Sequence, residues 1–371
     1  MSRSILIMAG GTGGHIFPAL AVADTLRSRG WRVTWLGAPH SMEAELVPRH
    51  GYEMAWVRFS GLRGKGLLRK LMLPVNLLVA LWQSAAAILR HRPDLVLGMG
   101  GYITFPGGMM AAALRRPLVI HEQNSIAGLS NKALACFSQK VLSGFPDVLP
   151  RAIWCGNPVR SDIAALPEPQ QRYAAHTGSR PNVLVLGGSL GAKALNETVP
   201  LALALLRKGG GEASRALPEN AQPVVIHQTG KQHLVAVRNS YQQAGVQADI
   251  KPFIDEMAKH YGNADLVICR AGALTVAELA AAGVASILIP FPLAVDDHQT
   301  CNARFLSERG AALLLPQSEL SAEKLAQVLR DLLEGEHGRE KLLAMARQAR
   351  SVAKPDATLK VAEICGALAQ S

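Results

Sequence analysis

Cysteine is sparse and dispersed. The 371 residues hold 5, at Cys136, Cys155, Cys269, Cys301 and Cys365, and none stands in C-x-x-C spacing. An odd, scattered set suggests neither a disulfide framework nor a zinc site, and fits a reducing compartment. Aromatic residues make up only 5%, and no nucleic-acid motif accompanies them, which argues against a nucleic-acid partner. No D-x-D occurs and no His/Asp set has ligand spacing, so no metal is expected. The pair Asp296 and Asp297 reads better as helix-start carboxylates. No leader is expected either, since only residues 5–9 are apolar before glycines begin, short of the ~7–15 residues of a signal peptide. The chain is expected to stay where it is made.

Nor is there a clean membrane span. Residues 71–89, LMLPVNLLVALWQSAAAIL, approach the required length, but Pro74, Asn76, Gln83 and Ser84 interrupt them. An amphipathic or buried helix is expected instead. Arg63, Lys65, Arg69 and Lys70 precede it and Arg90 and Arg92 follow. Basic residues beside apolar ones and Trp82 have the composition of an anchor on anionic lipid, although a core helix with solvated ends has it too.

What is present is apolar mass and positive charge. Hydrophobic residues make up 49%, and 39 Lys plus Arg against 28 Asp plus Glu give +11. That composition excludes a disordered chain and implies an anionic partner: nucleic acid, lipid or phosphorylated substrate. The length predicts about two domains. Short apolar runs at 5–9, 33–36, 53–57, 95–98, 118–121 and 140–142 alternate with helical patterns, as in βα units with a parallel sheet. The pattern lapses between Ser143 and Pro181 among six prolines, then resumes at 183–186, 224–227, 249–250, 266–269, 285–289 and 312–315. The expected division is 1–160, 161–345, and a helical segment 346–371 that packs back on the first domain. Two Rossmann-like domains should hold a ligand in a crevice at their strands' C-terminal ends.

Both halves open alike, ILIMAGGTGGH and VLVLGGSLGAK. In each, an apolar strand runs into glycines and then a helix, which lets backbone N–H groups and the helix dipole meet an anion. Pro18 suits the first turn of the first helix. Neither loop is a P-loop or a G-x-G-x-x-G fingerprint with its downstream acid, so no cofactor is expected. Two such loops suit a nucleoside diphosphate joined to a second group. His15 follows the first loop and is either a base or a packing residue. His121, Glu122, Gln123 and Asn124 end a strand, as a hydrogen-bonded support or a substrate reader. Thr275 and Glu278 have capping-box spacing, but Glu278 would equally suit ribose hydroxyls.

Seven ordered stretches carry a resemblance across nearly the whole chain: AGGTGGHIFPALAVA, GMGGYITFPGG, HEQNSIAGLSNK, GNPVR, LGGSLGA, RAGALTVAEL and PFPLAVDDHQTCNA. They closely resemble the bacterial cell-wall glycosyltransferases that add N-acetylglucosamine to undecaprenyl-pyrophosphoryl-N-acetylmuramyl pentapeptide, turning lipid I into lipid II. The resemblance implies a GT-B fold, an inverting transfer without a metal, and peripheral attachment to the cytoplasmic face of the inner membrane. It also implies partners among other cell-wall and division proteins. By it, Thr12, Gly13, Gly14, Asn124, Arg160, Ser189, Ile254, Ala273, Leu274, Thr275, Val276, Ala277, Glu278 and Gln299 would hold UDP-N-acetylglucosamine. Ile254 would meet the uracil, Glu278 the ribose, Ser189 the diphosphate, and Asn124 and Gln299 the sugar. Arg69, Lys70 and Trp82 would meet the membrane. His15 is the first candidate for the base that deprotonates the acceptor hydroxyl, and Glu122 the second. Leu190 and Leu293 depart from polar residues common in the family. The competing reading is a UDP-N-acetylglucosamine 2-epimerase or another UDP-sugar enzyme of the same fold.

Overall fold

The structure, a computed structural model, describes residues 3–59, 72–188, 191–209 and 216–370. Arg63, Lys65, Arg69, Lys70, Ser189 and Leu190 lie outside the described residues. The chain divides into two compact units, one of residues 1–160 with 354–371 and one of residues 161–353.

In the first unit, seven strands, β1 (Ser4–Met8), β2 (Arg32–Gly37), β3 (Glu53–Trp56), β4 (Leu95–Gly98), β5 (Leu118–Glu122), β6 (Lys140–Ser143) and β7 (Ile153–Trp154), form one sheet in the order β3-β2-β1-β4-β5-β6-β7. Every pairing is parallel. The central strands β1 and β4 are buried throughout, as strands covered by helices on both faces must be. Strand order reverses between β1 and β4, the place where such sheets leave room for a ligand. The helix Ala357–Leu368 completes this unit by burying Val361, Ala362 and Cys365 in a core shared with Ile16, Ala19 and Val22 of the helix Gly13–Ser28.

The second unit repeats the plan with β8 (Asn182–Leu186), β9 (Val224–Gln228), β10 (Asp249–Lys251), β11 (Leu266–Cys269), β12 (Ala285–Leu288) and β13 (Ala312–Leu314), ordered β10-β9-β8-β11-β12-β13. Its switch point lies between β8 and β11. Beside that sheet the buried Arg172 donates to the carbonyls of Pro167, Tyr261, Gly262, Ala282 and Gly283. One guanidinium thus ties together the helix ends that flank β11 and supplies buried carbonyls with donors.

Two local expectations change, and a third, the amphipathic helix, becomes specific. The proline-rich stretch after Ser143 is more than a connection: it holds β7 and the helices Ser161–Ala164 and Pro169–Ala175. A two-residue edge strand and a four-residue helix are too short to leave a period. Pro18 lies in the second turn of the helix Gly13–Ser28, not the first. The helix Leu73–His91 is amphipathic with its apolar face outward: Val75, Leu78, Val79, Trp82 and Leu89 are exposed, whereas Ala80, Ser84, Ala87 and Ile88 are buried.

Candidate active site

In the first unit, two glycine turns meet at the β1/β4 switch point. The Gly10 amide donates to the Gly100 carbonyl at 3.3 Å. A Cβ on Gly101 would lie 2.2 Å from the Gly10 carbonyl oxygen, so only glycine lets these turns touch. Beneath them the buried Glu43 accepts from the amides of Gly11 at 3.1 Å and Ala38 at 3.2 Å. No motif marks this carboxylate in the sequence. It commits the Gly11 amide internally and sets a negative charge under the loop, which reduces what the loop offers an anion. Thr12 is the N-cap residue of the following helix, and Thr12 and Gly14 are exposed while Gly13 is partly so.

His15, half-buried in that helix's first turn, places Nδ1 3.1 Å from Gln123 Oε1. Gln123 belongs to the polar run at the end of β5, on the far side of β4. Its Nε2 donates to the Met99 carbonyl at 2.8 Å and to His121 Nδ1 at 3.2 Å. His121 Nε2 lies 2.9 Å from the Gly156 carbonyl. Burial pushes the His121 pKa down to about 4, with the Gly156 carbonyl and Glu122 pulling the other way, so this imidazole is neutral near pH 7. Of the two roles left open for the run, this pair takes the supporting one.

Glu122 has a different task. One oxygen accepts from the backbone amide and side-chain amide of Asn124, at 3.0 and 3.4 Å; the other accepts from Gly128 at 3.0 Å and Asn131 Nδ2 at 2.9 Å. A buried carboxylate holding four donors shapes the turn that presents Asn124, and this occupation weighs against its use as a base. Arg160 stands at the first unit's chain boundary, partly exposed.

In the second unit, the C-terminal ends of β8, β11 and β12 are in register at Leu186, Cys269 and Leu288. Each leads into a turn carrying candidate residues. Gly188 and Gly191 have φ of +76° and +80°, and a Cβ on Gly191 would lie 2.1 Å from the Thr229 carbonyl oxygen. After β11, Asn302 Nδ2 donates to the Ala271 carbonyl at 3.2 Å and fixes the turn into the helix Ala273–Ala282. Gly272 is the N-cap residue there, which places Thr275 inside the helix and removes the capping-box reading. Glu278 is instead a mostly buried carboxylate that accepts from the Tyr261 hydroxyl at 3.2 Å. Ala273 and Val276 are buried, and Leu274, Thr275 and Ala277 partly exposed.

After β12, Arg270 donates to the carbonyls of Ile289 and Pro290, each at 3.1 Å, and to Gln317 Oε1 at 2.6 Å. Gln299 Oε1 accepts from the Phe291 amide at 3.0 Å, which ties the start of the helix His298–Ser307 to this turn. Asp297 is that helix's N-cap residue, its carboxylate accepting from Thr300 Oγ1 at 2.7 Å, in line with the helix-start reading. Ile254 is buried beyond β10, and Leu293 is 80% exposed. Glu43, Arg270, Asn302 and Tyr261 were not singled out from the sequence, and Gln123 was named there only as one of a run of four. Their roles depend on contacts between distant segments, which no spacing encodes.

The chain is similar to known proteins along its whole length. The glycosyltransferase family 28 N-terminal domain matches residues 5–143, and the family's C-terminal domain matches residues 182–361. A UDP-N-acetylglucosamine--N-acetylmuramyl-(pentapeptide) pyrophosphoryl-undecaprenol N-acetylglucosamine transferase of Dechloromonas aromatica is 58% identical over 370 residues, covering 100% of both chains. That of Azoarcus sp. is 59% identical over 368 residues, 99% of each. Among solved structures, Acinetobacter baumannii MurG superposes with a TM-score of 0.83 at 38% identity, over 98% of this chain and 99% of that one. A putative UDP-N-acetylglucosamine 2-epimerase from Listeria monocytogenes shares the fold alone, with a TM-score of 0.62 at 12% identity, over 97% and 95%.

Proposed function

Since the chain belongs to glycosyltransferase family 28, with both domains matched, we infer that it transfers N-acetylglucosamine from UDP-N-acetylglucosamine to the 4-hydroxyl of N-acetylmuramyl-pentapeptide pyrophosphoryl-undecaprenol. The product is lipid II, the step belongs to peptidoglycan synthesis, and the fold is GT-B. The observation that carries this is 58% identity without a gap in coverage to a transferase of that name. The epimerase reading has only a shared fold behind it.

The reaction breaks the bond between the anomeric carbon and UDP and forms one to the acceptor oxygen, with inversion. Positive charge develops on the sugar while negative charge grows on the leaving diphosphate. Preorganised amides and helix N-termini in the second unit answer the latter. We assign the diphosphate to the glycines at 187, 188 and 191 with Ser189 and Arg160, the uracil to Ile254, and the ribose hydroxyls to Glu278, beside the run from Ala273 to Ala277. Asn124 and Gln299 read the sugar. His15 removes the proton of the attacking hydroxyl. The acceptor's pyrophosphate is given to Thr12, Gly13 and Gly14 at the start of the helix Gly13–Ser28, because Gly11 is committed to Glu43.

The acceptor's lipid stays in the bilayer, so the enzyme works at the membrane surface. We assign that contact to the outward apolar face of the helix Leu73–His91, flanked by Arg69, Lys70 and Arg90, on the cytoplasmic leaflet of the inner membrane. Other cell-wall and division proteins would be met there. The deciding experiment is UDP release from UDP-N-acetylglucosamine with and without a lipid I analogue, in excess chelator. Release that requires the acceptor and persists with chelator is expected. Bound donor without release would reject the transferase reading.

A further inference from the structure

The polar run at the end of β5 contains two buried side chains whose hydrogen bonds form a directed chain ending at His15. Both anchors of that chain are backbone carbonyls, which accept and never donate. Facing the Gly156 carbonyl at 2.9 Å, His121 Nε2 must carry the proton, which leaves His121 Nδ1 as an acceptor. The Gln123 amide therefore turns its NH₂ toward His121 Nδ1 and the Met99 carbonyl, at 3.2 and 2.8 Å. Its oxygen is left facing His15 Nδ1 at 3.1 Å, and an oxygen there demands a donor. With both rings neutral, no alternative assignment satisfies all four contacts. The Gln123 backbone is held as well, its carbonyl accepting from Asn157 Nδ2 at 2.9 Å.

We propose that Gln123 and His121 are positioning residues that fix the tautomer of His15, placing its proton on Nδ1 and its lone pair on Nε2. The ring nitrogen able to accept a proton is thereby chosen by a residue pair that touches no substrate. The functional consequence rests on the reading of His15 as the base; the tautomer does not. Gly100 is part of the device. A Cβ there would lie 2.5 Å from His15 Nδ1 and 2.9 Å from Gln123 Oε1, so the bond passes where any other residue would intrude. His121 is neutral at working pH for the reason given above. A protonated His121 would donate through Nδ1, turn the amide over and force the proton of His15 onto Nε2.

The test is nitrogen NMR of the full-length protein labelled with ¹⁵N-histidine, the His15 signals being identified by their loss in His15→Ala. In the wild type, the pattern of an Nδ1-protonated neutral ring is expected. In Gln123→Met, which keeps the side-chain length and removes the amide, a tautomer mixture is expected. With it kcat should fall roughly tenfold to hundredfold, less than the ~10² to 10⁴ that general-base catalysis supplies in full, while the donor KM stays within about twofold. An Nε2-protonated His15 in the wild type overturns the proposal whether or not Gln123→Met folds. So does an unchanged tautomer in Gln123→Met. If the tautomer behaves as expected but His15→Ala keeps full turnover, the tautomer lock stands and the assignment of His15 as base falls.

Discussion

Replacing Leu78, Trp82 and Leu89 together with serine should release the protein from membranes without unfolding it. These side chains are 66%, 70% and 60% exposed, on one face of the helix Leu73–His91. Complete burial of a large apolar side chain is worth roughly 1.5–3 kcal/mol, so about two-thirds of that remains for a lipid surface to recover, or ~1–2 kcal/mol each. The three together give ~3–6 kcal/mol, a factor of roughly 10² to 10⁴ in partitioning at 1.4 kcal/mol per tenfold. Adding Arg69→Gln and Lys70→Gln should remove about 1 kcal/mol more per charge, and only at low salt. Co-sedimentation with vesicles containing phosphatidylglycerol measures the partition, and a thermal melt runs beside it. The melting temperature should hardly move, because exposed side chains away from special contacts change stability by about 0.5 kcal/mol or less. Binding within threefold of wild type would refute the membrane assignment. A melting temperature lowered by many degrees would mean that this face packs against protein.

His15→Ala should lower kcat by about 10² to 10⁴ with little change in donor KM, and an acceptor-saturated turnover assay checks this. Glu278→Ala should weaken UDP binding by roughly tenfold to hundredfold, as loss of hydrogen bonds from a charged acceptor does, measured by calorimetry with UDP alone. Gly100→Ala should cost ~1–3 kcal/mol from its φ of +93° and also displace His15; a variant melting like wild type with full kcat would contradict both effects. A pH effect follows from His227, which burial holds down to about 4 between the Tyr241 hydroxyl and Asn196 Oδ1. Its folded pKa lies below its unfolded one, so the unfolded chain takes up the proton first. Stability is therefore lost as pH falls from about 6.5 toward 4, by roughly 3 kcal/mol in full. His121 is held down to about 4 in the same way, so His227→Gln should remove roughly half of the pH dependence of thermal melts across that window, and an unchanged slope would sink the argument.

Much of the architecture was readable because a parallel sheet imposes a simple code. Strands buried on both faces need uninterrupted apolar runs, and β1, β4, β8 and β11 are such runs. A turn that brings backbone close to another group or adopts positive φ needs glycine, which marked both loops before any fold was known. The seven ordered motifs carried the resemblance to the family, and the donor and the lipid acceptor came with that resemblance; composition by itself implied only an anionic partner. Strand order was not readable, because hydrogen bonding between strands is made by backbone that every residue shares. Without that order nothing places Gly10 against Gly100, or Gln123 beside His15. The helix Leu73–His91 shows the same limit: its residues were recognisably apolar, but which of them faced outward depended on what covered the opposite side. Glu122 and Gln123, neighbours in sequence and alike in polarity, were separated in role by packing. One carboxylate is enclosed by four donors, while the adjacent amide has its direction dictated by two distant carbonyls. Sequence determined which chemical groups the protein owns; tertiary structure decided which of them are already spoken for, because hydrogen bonds are satisfied in space and not along the chain.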